Sequence, residues 1–79
     1  MITYRIKDNP ERVTTTVSGP AALVKYMNEN SRFPEENDQV FMLEYAKRAV
    51  LNKNEDIRAT DPESFVADLI TLGHIEQIE

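Results

Sequence analysis

The beginning of the chain alternates between apolar and polar side chains, which is the pattern of a strand buried on one face. In residues 2–7, ITYRIK, every second side chain is apolar, and residues 12–18, RVTTTVS, repeat the alternation with many β-branched side chains. The sequence DNPE between them predicts a turn. A loop of this length pairs three inward positions, Ile6 with Val13, Tyr4 with Thr15 and Ile2 with Val17. The pattern therefore predicts an N-terminal β-hairpin.

Three later segments carry apolar residues every three or four positions, as on one face of a helix. The first covers residues 20–30 and opens with a proline, which suits a first helical turn. The second, PEENDQVFMLEYAKRAVLNKN, is the longest, and Pro34 is predicted to begin it or to precede it directly. In the third, we expect Asp61 to be the N-cap, Pro62 the first helical residue and Gly73 the left-handed residue that ends the helix.

The second helix has a broad apolar stripe. Its predicted core positions are Phe41, Met42, Tyr45, Ala46, Ala49 and Val50. Leu43 and Leu51 lie away from the centre of this stripe. They either widen the buried face or mark a second contact.

Two weaker strand signals complete the fold prediction, a short strand at residues 57–59 and an edge strand within residues 75–79. The predicted order is β-β-α-α-β-α-β, an α+β domain spanning residues 1–79 with its helices packed on one face of a small sheet. In the alternative, residues 55–59 and 75–79 are plain loops, and the hairpin packs on a cluster of three helices.

The composition excludes several classes of site. None of the 79 residues is cysteine, which removes disulfides, thiolate nucleophiles and cysteine-based zinc sites and favours an intracellular setting. Charges interrupt the N-terminal MITYRIKD too often for a signal peptide, and no apolar run approaches the roughly 18 residues of a membrane span. We therefore expect a cytoplasmic protein without a membrane partner.

The sequence contains few of the residue patterns that are typical of catalytic or metal sites. His74 is the only histidine and directly follows the predicted helix end, where an imidazolium interacts favourably with the helix dipole. No serine lies in a GxSxG motif. The acidic pairs Asp61/Glu63 and Glu55/Asp56 lack the ligand spacing and central glycine of a calcium loop. We therefore expect no catalytic residues, no metal site, no cofactor and no enzymatic activity.

Charge is distributed unevenly along the chain. Residues 1–32 hold five basic and three acidic residues, a balance of +2, whereas residues 33–79 hold four basic and eleven acidic residues, a balance of −7. This asymmetry predicts a small regulator, adaptor or inhibitor that docks an acidic helical surface onto a basic partner protein. The expected contact residues are Phe33, as an apolar anchor, with Glu35, Glu36, Asp38, Glu55 and Asp56.

Two alternatives remain open. Arg5, Lys7 and Arg12 share the predicted outer face of the hairpin and are candidate contacts to nucleic-acid phosphates. The net charge of −5 and the lack of outward aromatic residues on that face oppose this interpretation. In the other alternative, the protein is a homo-oligomeric structural subunit, such as a homodimer, with Leu43 and Leu51 facing a second copy, since small folds without disulfides often gain stability by self-association.

Overall fold

A computed structural model describes residues 1–7, 13–31 and 33–78 and contains three strands and three helices. Their order is β1 (Ile2–Ile6), β2 (Val13–Val17), α1 (Pro20–Glu29), α2 (Asp38–Lys53), α3 (Pro62–Thr71) and β3 (Ile75–Gln77). The predicted α+β class and the C-terminal strand are confirmed. The predicted turn at residues 8–11 lies outside the described residues, as does Arg12.

The sheet is antiparallel, with β1 between β2 and β3. The hairpin has the predicted register, in which Ile2 faces Val17, Tyr4 faces Thr15 and Ile6 faces Val13. Strand β3 pairs on the other side, where Ile6 faces Ile75 and Arg5 faces Glu76. Because the side chains of a strand alternate between faces, β1 places its apolar residues toward the helices and its basic residue, Arg5, toward the outer face.

One apolar cluster joins the sheet to the helices. It is built from Tyr4, Ile6, Leu23, Val24, Phe41, Met42, Ala49, Ile57, Phe65, Val66, Leu69 and Ile75. Helix α1 contacts β2, α2 and α3, and α3 contacts β3. Helix α2 meets α3 through ring contacts, with Tyr45 and Phe65 centroids 5.5 Å apart. Burial in this cluster raises the pKa of the Tyr4 hydroxyl, because ionisation would place a charge among apolar groups.

Helix α2 begins at Asp38, later in the chain than the start predicted at or directly after Pro34. Its N-cap is Asn37, whose side-chain oxygen accepts a hydrogen bond from the backbone N–H of Val40 at 2.9 Å. Glu35 and Glu36 therefore precede the helix instead of lying in its first turn. Val50, predicted to be buried, is 49% exposed, while the other predicted core positions of α2 are buried or packed against the core.

The strand expected at residues 57–59 is not formed, because side chains occupy its backbone groups. The N–H of Arg58 donates to the Asp68 carboxylate at 2.8 Å, and the carbonyl of Ala59 accepts from Gln39 at 2.7 Å. Ile57 is still buried, so the segment contributes to the core without joining the sheet. Among the helices of the described residues, none is both long enough and apolar enough to cross a membrane.

Candidate functional site

The segment before α2 is fixed by a buried side chain of α1, Asn28. Its amide oxygen accepts from the backbone N–H of Glu35 at 2.8 Å. Its amide nitrogen donates to the Glu35 carbonyl at 3.2 Å and to the Asp38 carboxylate at 3.3 Å. Asn28 is only 6% exposed, and these three hydrogen bonds satisfy both of its polar atoms within the fold. Residues 35–38 are thereby held against the C-terminal turn of α1.

The beginnings of α2 and α3 lie at the same end of the molecule. The hydrogen bond from Gln39 to Ala59 joins the first turn of α2 to the residues just before α3. Phe41 and Phe65, each in the first turns of its helix, have ring centroids 6.4 Å apart. This arrangement collects five carboxylates at what we call the acidic end, namely Glu35, Glu36, Asp38, Asp61 and Glu63.

The carboxylates of the acidic end differ in their engagement. The Asp61 carboxylate caps α3 by accepting from the Ser64 backbone N–H at 2.7 Å, and this bond lowers the pKa of Asp61 because it favours the ionised form. Asp38 is half-buried beside Asn28. Glu36 and Glu63 are exposed, so of the five carboxylates these two are the most accessible to a binding partner.

Phe33 is a large, exposed apolar side chain next to these carboxylates. It is 76% exposed, although an aromatic ring gains free energy when it leaves water. Its backbone N–H donates to the Ser31 hydroxyl at 3.4 Å, and two residues later the Asn28 contacts begin. The protein therefore presents an apolar ring on a segment whose end is held by the fold.

The predicted contact residues do not form a single surface. Phe33 and residues 35–38 precede α2 or begin it, whereas Glu55 and Asp56 follow its last residue, Lys53. A helix of 16 residues separates the two groups by about 24 Å, given the rise of roughly 1.5 Å per residue. Only the first group belongs to the acidic end.

His74 directly follows Gly73, the left-handed residue that ends the helical turn after α3, as predicted. Gly73, with φ of 84°, donates its N–H to the Ile70 carbonyl, and the His74 N–H reaches the Leu69 carbonyl at 2.9 Å. This pair of bonds is the Schellman arrangement that ends a helix. However, the imidazole does more than follow a helix end: it is 7% exposed, and its Nε2 lies 2.6 Å from the Glu55 carboxylate.

An open depression of about 240 Å³ adjoins this pair. It is lined by Tyr45, Arg48, Ala49, Asn52, Lys53, Glu55 and His74. Its volume is below the roughly 300–1,000 Å³ of typical small-molecule sites. Among the described residues that line it, Glu55 is the single carboxylate, and it already contacts the histidine. The pair therefore ties the chain after α2 to the residues that follow α3.

Metal binding has no support from the part of the chain that the structure describes. No three histidine, aspartate or glutamate side chains converge there closely enough to hold a metal ion. One member of each acidic pair considered from the sequence is engaged within the fold, since Asp61 caps α3 and Glu55 contacts His74.

The outer face of the sheet carries an acidic residue that opposes the basic ones. Glu76 on β3 lies beside Arg5, with a nitrogen–oxygen distance of 3.0 Å, and its other oxygen lies 3.6 Å from Lys7 Nζ. Two of the three predicted phosphate contacts thus share one carboxylate, which weakens their positive potential. Arg12 lies outside the described residues.

Sequence reasoning missed Asn28, Glu76 and the contact between His74 and Glu55. A signal for Asn28 existed, because it lies four residues after the buried Val24 on the core side of α1. The other contacts join residues far apart in the sequence, and nothing local marks them. Comparisons with protein-family models, curated proteins and solved structures gave no match.

Proposed function

We propose that the protein is a non-enzymatic protein-binding module, a small regulator, adaptor or inhibitor, that docks its acidic end onto a basic partner protein. One observation carries the proposal: Phe33 is 76% exposed next to a segment that the buried Asn28 holds in place. The exposed carboxylates of Glu36 and Glu63 lie at the same end. An apolar ring with negative charge around it suits a partner that offers an apolar pocket with a basic rim.

The aromatic ring and the carboxylates are expected to contribute to binding in different ways. Buried aromatic anchors contribute much of the free energy of protein–protein binding, whereas charges at the rim mainly accelerate association and select the partner. A loop already held in its binding conformation loses less conformational entropy on docking. Asn28 supplies that restraint, because it bonds both backbone groups of Glu35.

The contact in this proposal is narrower than the sequence indicated. It contains Phe33, Glu35, Glu36 and Asp38, and it adds Glu63 from the beginning of α3. Glu55 and Asp56 are left out because they lie past the opposite end of α2, where Glu55 contacts His74. A cytoplasmic location is part of the proposal and is supported by the cysteine-free sequence.

Site-specific photo-crosslinking tests the proposal. A photoreactive phenylalanine analogue replaces Phe33 in one variant and Thr14, which is exposed on the outer sheet face, in a matched control. Both variants are irradiated in cells of the source organism and in extracts at about 0.05 M and about 0.5 M salt, since screening weakens long-range attraction. We expect a protein adduct at position 33 that declines in high salt, and none at position 14.

Charge reversal then tests the acidic contribution. Glu36→Lys with Glu63→Lys is expected to reduce the adduct at position 33 at least about tenfold, because it replaces attraction to a basic rim with repulsion. Equal labelling at positions 14 and 33, or an adduct whose yield is indifferent to both salt and charge reversal, would contradict the proposal. Nucleic acid captured at position 14 would favour the outer sheet face instead.

A further inference from the structure

A second exposed surface runs along α2, on the side away from the core. Leu43, Val50 and Leu51 are 52%, 49% and 75% exposed. Their spacing of seven and eight residues places them on one side of the helix, and Lys47 lies between them. We call these four residues the outer stripe. No described residue packs over it closely enough to bury its leucines, whereas Phe41, Met42 and Ala49 on the opposite side of α2 are buried.

Charge along α2 changes sign midway. Of the charged residues beside the outer stripe, Glu44 lies in the first half of the helix and Lys47 in the second half. A parallel copy of the helix would place like charges together. An antiparallel copy places Glu44 of each helix near Lys47 of the other, so the surface is complementary to itself. Self-complementary patches are the requirement for a twofold symmetric interface.

We propose that two copies of the protein pair through their outer stripes, with the α2 helices antiparallel and the twofold axis near Lys47. Leu43 then lies level with the partner's Leu51 and beside the partner's Val50. The partner's Glu44 lies about 4.5 Å along the helix axis from Lys47, given the rise of roughly 1.5 Å per residue. The axis also brings the two Lys47 residues level with each other. A lysine side chain spans the offset of about 4.5 Å, so each Lys47 extends away from the other and toward the opposing carboxylate.

The dimensions of α2 limit the area that the dimer can bury. A helix of 16 residues is about 24 Å long, and one face of it buries less than the roughly 800 Å² per partner of a standard interface. Interfaces of this size are typical of weak or transient complexes, so we expect association on the micromolar scale. The dimer is therefore expected to dissociate on dilution, and it leaves the acidic end of each copy available.

Sedimentation velocity of the full chain tests the pairing. Between about 1 µM and about 500 µM, the weight-average mass is expected to rise from that of the monomer toward twice that value. Leu51→Glu is expected to raise the dimer dissociation constant at least about tenfold, because it puts a charge into the apolar contact. Leu72→Glu changes a leucine that is 37% exposed just after α3, and it is the matched control that leaves association unchanged. Circular dichroism verifies that each variant is folded.

A charge swap tests the antiparallel register. Lys47→Glu and Glu44→Lys are each expected to raise the dissociation constant at least about fivefold, since each places like charges across the interface. The double variant restores opposite charges at both positions and is expected to return within about twofold of the original value. A monomer at every concentration, or a dimer indifferent to Leu51→Glu, overturns the proposal. Failure of the double variant to recover overturns the register.

The proposed dimer does not depend on the acidic end as a docking surface. Phe33→Ala is expected to leave the dissociation constant unchanged while it removes the apolar anchor proposed for the partner protein. Loss of the dimer in this variant would show that Phe33 belongs to the contact between copies and would overturn the interface through the outer stripe.

Discussion

The two ends of α2 carry similar acidic residues in different surroundings. Before the helix, Glu36 is exposed and Phe33 is 76% exposed. After the helix, Glu55 is half-buried and lies 2.6 Å from the imidazole of His74, which is itself only 7% exposed. One end is open to a partner, and the other is closed by a contact within the chain.

The difference lies in what the fold brings to each carboxylate. At the closed end, α3 stops at Gly73 and turns His74 back toward the residues that follow α2. At the open end, Asn28 engages the backbone of Glu35 but leaves Glu36 in solvent. Acidic residues near a helix end are therefore not equivalent as docking residues, and burial decides which of them remain available.

The largest expected effect is at the closed end. His74→Ala should lower the free energy of unfolding by about 2–3 kcal/mol, because it removes a buried ring beside Tyr45 and leaves the Glu55 carboxylate without this contact. Urea denaturation measures the change. Phe33→Ala at the open end should alter stability by less than about 0.5 kcal/mol, as expected for an exposed side chain.

A double-mutant cycle isolates the contact between the two side chains at the closed end. Glu55→Gln alone and His74→Ala alone should cost more in sum than the double variant, because both remove the same interaction. If the costs add fully, or if His74→Ala is as mild as Phe33→Ala, the closed end is an ordinary surface and the contrast between the two ends disappears.

A smaller effect is expected where the open end is fixed to α1. Asn28→Ala should lower the free energy of unfolding by about 1–2 kcal/mol, since it removes three hydrogen bonds from a buried site. It should also accelerate amide hydrogen exchange at Glu35, whose N–H loses its acceptor. Leu72→Ala, outside this segment, is the control. Unchanged exchange at Glu35 would show that the segment is held by other contacts.

The sequence predicted the parts of the fold that depend on local chemistry. Alternation and loop length gave the hairpin register, and Asp61, Pro62 and Gly73 marked both ends of α3 as the structure has them. The predicted beginning of α2 was wrong because the sequence contains two residues that suit the start of a helix, Pro34 and Asn37. The local sequence does not show which one caps the helix, whereas the structure places the hydrogen bond from Val40 on Asn37.

The other features of the fold and of the candidate site could not be predicted, because they depend on contacts between residues that are distant in the sequence. The strand at residues 57–59 failed because Asp68, ten residues away, bonds the Arg58 N–H. For the candidate site, Phe33 and residues 35–38 could be grouped from sequence, since they are neighbours in the chain. Separation of Glu55 from that group depends on a contact with His74 across 19 residues, and no periodicity or spacing encodes it.

The smallest expected effect concerns Asp61, a carboxylate of the acidic end that already caps α3. The Ser64 N–H lowers the pKa of Asp61 below its ordinary value of 3.8, so the folded state binds a proton there less readily than the unfolded state. The resulting stabilisation is present above pH 3.8 and is lost as the pH falls through the lower folded pKa. Asp61→Asn keeps a capping oxygen and cannot titrate.

Stability at pH 7 should therefore change little in Asp61→Asn, while its loss of stability between about pH 5 and about pH 2 should be shallower than in the unaltered protein. Urea midpoints across this range measure both. Some acid sensitivity should persist, because Arg58 lowers the pKa of Asp68 in the same direction. Identical pH profiles would mean that Asp61 is not held by its cap. A shallower profile would show that the cap holds the Asp61 carboxylate, so that this charge of the acidic end already serves the fold.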